Sequence, residues 1–102
     1  MENTTIVFKD NSTYGEVQLF SSDKKVGKMD ISVQNDKLRV YHTEVDAEQE
    51  GKGFAKLLLT ALVGHARENN LRIIPLCPYV LAQFKRHPQE YADVWLKGHN
   101  DK

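Results

Sequence analysis

The chain is poor in the features that most quickly reveal a function. One cysteine, Cys77, stands among 102 residues, so no disulfide can form within the chain and a cysteine-based structural zinc site is disfavoured. A single thiol suits a reducing compartment, and the expected location is cytoplasmic. No basic excess exists either: 14 Lys and Arg balance 14 Asp and Glu. A general nucleic-acid binder usually carries extra cations to neutralise phosphates, so no nucleic-acid partner is expected. Long apolar runs are missing. The longest, residues 57–63, is interrupted by Thr60 and is far too short to cross a bilayer. The opening Met1-Glu2-Asn3-Thr4-Thr5 has no basic start followed by an apolar stretch, so no signal peptide and no membrane contact are expected. Internal repeats and low-complexity segments are absent. The length is read as one domain, residues 1–102, with a single modest core.

What is present falls into two periods. Residues 4–8, 16–20, 26–33 and 38–45 read as strands, the second with Val17 and Leu19 on one face and the fourth with Leu38 and Val40. The third alternates less cleanly, with Val26, Ile31 and Val33 as its apolar members. Polar turns separate them, at Asp10-Asn11-Ser12, Ser21-Ser22-Asp23 and Gln34-Asn35-Asp36, which predicts an antiparallel meander. The period then becomes helical: Phe54, Leu57, Leu58, Ala61, Leu62 and Ala66 share a face. This helix ends near Asn69-Asn70, where asparagine tolerates a left-handed cap. Residues 71–76 form a nearly continuous apolar run that predicts a buried central strand. Pro78 suits the first turn of a second helix over residues 79–86, and Pro88 ends it. Tyr91, Val94, Trp95 and Leu96 predict a short docking segment, with frayed last residues beyond it. The fold class is therefore α/β (α+β, mixed sheet): antiparallel strands, then helix, strand, helix, with a crossover joining two parallel strands.

The stretch Glu50-Gly51-Lys52-Gly53-Phe54-Ala55 lies between a strand and a helix. Glycines let backbone N–H groups face outward, and a helix N-terminus adds unpaired donors and a positive dipole end. With Lys52 and Lys56 nearby, a pyrophosphate is a natural guest. Taken alone, the glycines fit a tight turn with no ligand better, because so short a pattern is weak evidence. It is neither a Walker loop nor the dinucleotide fingerprint.

In register, Val45, Gly51, Gly53 and Ala55 resemble the acetyl-CoA loop of GNAT acetyltransferases; Glu50 departs from it, standing where Arg or Gln is usual. Further segments extend the likeness: His42-Thr43-Glu44-Val45, Pro75-Leu76-Cys77-Pro78-Tyr79 and Arg86-His87-Pro88-Gln89-Glu90-Tyr91. Together they resemble the small GNAT-like N-acetyltransferases of the YjdJ type over residues 16–91. The resemblance implies a minimal GNAT fold and acetyl-CoA or coenzyme A as ligand. It implies a pantetheine arm pairing with backbone groups of Thr43 and Val45, and a pyrophosphate on the N–H groups of Gly51, Lys52, Gly53, Phe54 and Ala55. Glu50 would then have to point away from the phosphates or pair with a lysine. Larger members carry a general-acid tyrosine on the final helix. Its nearest equivalent here is Phe84, which has no proton to give, and Tyr79 is a substitute at the start of that helix.

Cys77 and His42 are the candidate catalytic residues. A thiol at a helix N-terminus has its thiolate favoured by the dipole, yet a free cysteine is as often a small buried apolar residue. In the implied fold Cys77 lies near the acyl thioester, either accepting the acyl group or lining the acceptor pocket. Histidine titrates near neutral pH and can deprotonate an amine or a thiol; a strand histidine facing solvent is the plain alternative. Glu44 shares parity with His42 and can orient it or bind a cationic acceptor. His65 and His87 read as structural, and no metal site is expected.

Three functions fit these residues. The first is acetyl transfer from acetyl-CoA to an unidentified amine acceptor, small molecule or protein. The second is a non-catalytic acyl-CoA-binding module or sensor. The third, a thiol redox protein built on Cys77-Pro78-Tyr79, lacks a second cysteine and enough chain after it. A monomer or weak homodimer is expected, with an exposed strand edge available to a second copy.

Overall fold

The computed structural model describes residues 2–9, 13–49 and 51–96. The turn signal at Asp10-Asn11-Ser12, Glu50 and the last residues of the chain lie outside them. Five strands and two helices follow in order: β1 (Glu2–Phe8), β2 (Tyr14–Ser21), β3 (Lys24–Gln34), β4 (Lys37–Val45), a 3-10 turn at Ala47–Gln49, α1 (Phe54–Glu68), β5 (Arg72–Pro75) and α2 (Pro78–Arg86). The strands form one sheet in sequence order. The first three pairings are antiparallel, and β4 with β5 is parallel, as the strand–helix–strand unit predicts. Two-residue turns close two of the hairpins, with positive φ at Ser22 and Asp23 and at Asn35 and Asp36. Such primed turns match the twist of the flanking strands, and short polar side chains tolerate them.

Alternation sets the buried face. Val17 and Leu19 of β2, Met29 and Ile31 of β3, and Leu38 and Val40 of β4 are all buried, and pack with Leu58, Leu59, Leu62 and Ala66 of α1. The uneven pattern of β3 has a physical cause. Leu19 pairs with Gly27 and Phe20 with Lys25, which leaves Val26 as an extra residue in a bulge. A bulge shifts parity, so Val26 is buried out of phase with Met29 and Ile31. A second bulge interrupts the β3–β4 pairing: Val40 pairs with Ile31 and His42 with Asp30, leaving Tyr41 unmatched.

The run at 71–76 departs from expectation. β5 is the outermost named strand rather than a central one, and although Ile73 and Ile74 are buried, Leu76 is 41% exposed. The chain's own tail covers its outer edge. Ile73 bridges to Trp95, its N–H donates to Val94 O at 2.6 Å, and Leu96 N–H donates back to Ile73 O at 3.0 Å. Tyr91 is buried and stacks on Phe84 with ring centroids 4.7 Å apart. Arg67 of α1 fastens this segment from outside, its guanidinium meeting Asp93 at 2.8 Å. The expected docking segment is therefore present. Among the described residues no helix is long and apolar enough to cross a membrane.

Candidate active site

The site begins where β4 outruns β5. Their pairing ends at Val40 and Pro75, and the last bond is from Cys77 N–H to Val40 O at 2.9 Å. The chain then turns into α2 with Pro78 in its first turn. Beyond this point the outer edge of β4 has no strand partner among the described residues. The ladder with β3 decides which main-chain groups face that open edge. Asp46 N–H donates to Val26 O at 2.8 Å, which makes Val45–Gly27 a pair without direct bonds. Antiparallel ladders alternate. His42 and Glu44 therefore bond to β3, and the N–H and C=O groups of Thr43 and Val45 point outward.

These groups border an open cleft of about 620 Å³ lined by Thr43, Glu44, Val45, Ala55 and Tyr79, with Lys25 and Lys28 on β3. A hollow of about 230 Å³ adjoins it, lined by Val45, Gly51, Gly53, Phe54, Ala55, Lys56 and Tyr79. Gly51 and Gly53 have φ of 86° and 76°, and nothing lies within 4 Å of where a Cβ would stand. Gly53 is the N-cap of α1, and no side chain among the described residues caps that helix. The first helical bond is Leu57 N–H to Gly53 O at 3.2 Å, so the N–H groups of Phe54, Ala55 and Lys56 have no intrahelical acceptor. A positive helix end with uncapped donors opens on the hollow, the arrangement an anionic phosphate group requires.

Charge around the cleft is organised in pairs. Lys25 Nζ lies 2.8 Å from Glu16, and Lys28 Nζ lies 2.9 Å from Asp30 and 3.7 Å from Glu16. The hydrogen bond from Lys25 is the main cause that holds the Glu16 carboxyl down to about 2. The bond to Asp30 pushes the Lys28 ammonium above its ordinary value. Tyr79, half-buried, has its phenol pushed up, first by burial and then by the neighbouring Cys77.

The expected ligand-binding residues converge well. Thr43, Val45, Gly51, Gly53, Phe54 and Ala55 all line one hollow or both, whereas Lys52 is exposed and lines neither. The two catalytic candidates are not brought together. Cys77 is buried, and its Sγ lies 3.1 Å from Thr43 Oγ1. That contact puts the thiol behind Thr43, on the core face of the sheet. His42 is exposed and pairs with Glu44 at 3.2 Å. Because His42 is matched to Asp30 and Thr43 to Met29, the imidazole projects from the opposite face. Phe84 is fully buried under Tyr91 and Trp95, so Tyr79 is the aromatic residue that borders both hollows. Lys25 and Lys28 escaped the sequence reading: they are ordinary strand lysines until the β3–β4 register sets Lys28 opposite Glu44 and the fold brings Lys25 to the same cleft. His65 lies beside Phe8 and Asn69, and His87 follows the last turn of α2.

The family profile described as GCN5-related N-acetyl-transferase matches residues 16–94. No curated protein matches the chain. Among solved structures, a GCN5-like protein from Staphylococcus aureus is 30% identical, with a TM-score of 0.66, and the match covers 100% of both chains. The ribosomal-protein-S18-alanine N-acetyltransferase from Escherichia coli is 13% identical with a TM-score of 0.67, covering 74% of this chain. The PaiA N-acetyltransferase from Thermoplasma acidophilum, solved with coenzyme A, is 12% identical with a TM-score of 0.56, also covering 74% of this chain. The chain spans 66% and 48%, respectively, of those two larger proteins.

Proposed function

Starting from the chain's membership of the GCN5-related N-acetyltransferase family, which the match over residues 16–94 establishes, we propose that it binds acetyl-CoA in the β4–α1 cleft and transfers the acetyl group to an amine. The observation that carries this reading is the open β4 edge. The outward N–H and C=O groups of Thr43 and Val45 stand beside the uncapped α1 N-terminus, with Gly51 and Gly53 in left-handed conformations between. A pantetheine has amides to pair with such an edge, and a pyrophosphate has oxygens for such donors, so these residues fit coenzyme A. Acetyl-CoA supplies an acyl group activated as a thioester.

The chain's residues have three tasks. Thr43, Val45 and the N–H groups at 51–55 orient the ligand. Tyr79 Oη gives a proton to the departing thiolate, a role that its place beside both hollows supports. His42, steadied by Glu44, takes a proton from the amine, which approaches from the sheet face opposite α1. Cys77 steadies Thr43 through the Sγ–Oγ1 contact. A covalent role for Cys77 requires Thr43 to turn aside, and it leaves a measurable mark: an acetyl adduct in denatured intact mass that maps to Cys77 and is lost in Cys77→Ala.

Acetyl transfer to a panel of amines tests the proposal. The expected result is turnover that falls about a hundredfold in Tyr79→Phe, the scale of one general acid, with acetyl-CoA affinity little changed. A chain that binds acetyl-CoA but acetylates no amine is instead a binding module, a reading that the missing tyrosine at Phe84 favours.

A further inference from the structure

The two edges of the sheet are treated differently. At one edge β5 is four residues long, carries Arg72 and Pro75, and is covered by the tail at Trp95. At the other, β1 runs for seven residues in unbroken register with β2. It has no proline and no lysine, and its one ionisable side chain, Glu2, lies at its end. Long regular edges are usually blunted by charge, proline or a bulge, because their main-chain groups pair with any strand that reaches them. β1 has none of these in its middle.

The main-chain groups that β1 turns away from β2 can be assigned. Lys9 N–H donates to Tyr14 O at 3.0 Å, which makes Phe8–Gly15 a pair without direct bonds. By alternation Asn3, Thr5 and Val7 bond to β2, and Glu2, Thr4, Ile6 and Phe8 point their N–H and C=O groups away from the sheet. The side chains beside this edge are also unfinished. Phe8 is 39% exposed at one end and Leu57 of α1 is 38% exposed towards the other. Between β1 and α1 runs a groove of about 320 Å³ whose lining includes Glu2, Thr4, Leu19, Leu57 and Ala61.

We infer that β1 is a homodimer interface, in which two copies join their β1 strands antiparallel about a two-fold axis at Thr5 into one ten-stranded sheet. The argument for a second copy is self-complementarity. An axis at Thr5 sets Thr4 opposite Ile6 of the second copy and Glu2 opposite its Phe8. All four outward residues of each strand then face outward residues of the other. The Glu2 carboxylate, which accepts from Ser21 Oγ at 3.0 Å within its own sheet, does not face its own image, and Phe8 of each copy lands at the groove end marked by Glu2 and Leu57 of the other. The contact is isologous, so it closes at two copies instead of growing into a fibre. It also lies apart from the β4–α1 cleft.

Sedimentation velocity across micromolar concentrations tests this, with two variants. Thr4→Pro removes an N–H that faces outward rather than towards β2, so the fold is spared and the added strand is refused. Thr5→Cys places two thiols on the axis, where a pair without direct bonds brings Cα atoms to about 4.5 Å, within disulfide range. The expected results are a wild-type dimer, a Thr4→Pro monomer that still binds acetyl-CoA, and a Thr5→Cys dimer trapped by oxidation and released by reductant. A wild-type monomer, larger assemblies, a dimer that survives Thr4→Pro, or a failure of Thr5→Cys to trap would each overturn it. Should Thr4→Pro not fold, the wild-type mass and the Thr5→Cys cross-link decide the matter.

Discussion

At the scale of single residues, backbone conformation and local charge carry most of the consequences. Gly53 holds a φ of 76° at the N-cap of α1, with open space where a Cβ would stand. Gly53→Ala therefore meets no clash and only the left-handed penalty, about 1 kcal/mol. Relaxing that strain turns the uncapped N–H groups away from the hollow. The expected result is weaker acetyl-CoA binding by calorimetry, alongside a small drop in urea midpoint. Glu16 gives a pH-dependent effect of definite sign. Its carboxyl, ordinarily at 4.5, is held at about 2 in the fold, chiefly by Lys25. A depressed acid stabilises the folded state above its unfolded value, and the benefit is lost as pH falls through the folded one. Glu16→Gln should flatten the acid limb of the stability curve between these two values and leave the alkaline limb alone, as read from urea midpoints across pH.

At the scale of elements, the two bulges matter most, and they also mark where the sequence stopped being readable. Hydrophobic spacing revealed the strands and α1, and strand parity set His42 and Glu44 on one face, where the structure pairs them. Strict alternation, however, carries Leu38, Val40, His42 and Glu44 along one face. The extra residue Tyr41 breaks that parity, turning His42 and Glu44 away while Thr43 and Val45 take the core side. No composition signal announces such a bulge, because it is set by how two strands match over their full length. Lys25 and Lys28 were hidden for the same reason. β5 was misjudged because an apolar run looks alike whether strands or a docked tail complete its burial. That tail depends on α2: Phe84 is fully buried and touches both Tyr91 and Trp95. Phe84→Ala should cost about 3–5 kcal/mol and release the tail from β5. Loss of hydrogen-exchange protection at the amides of Ile73 and Leu96 would report it.

At the scale of the whole molecule, the proposed reaction divides between the two faces of the sheet. The α1 side holds the open edge of β4, the glycine turn and Tyr79, all bordering two connected hollows. The other side presents the His42–Glu44 pair to solvent. In the proposed reaction, coenzyme A on one side and an amine from the other meet beyond the last β4–β5 bond, where no strand of the described residues stands between them. The motif resemblance singled out Thr43, Val45 and the glycine turn as a spaced set, and the structure sets them along the two hollows. Cys77 was legible as the end of a strand but not as a thiol shielded by Thr43, because that needs the register of two strands distant in sequence. The most direct test of the account is an acetyl-CoA titration followed by amide chemical shifts of the labelled protein. The account predicts saturable shifts concentrated at Thr43, Val45 and the amides from Gly51 to Lys56, with β1 silent. Absence of saturable binding, or shifts gathered elsewhere on the sheet, would contradict it.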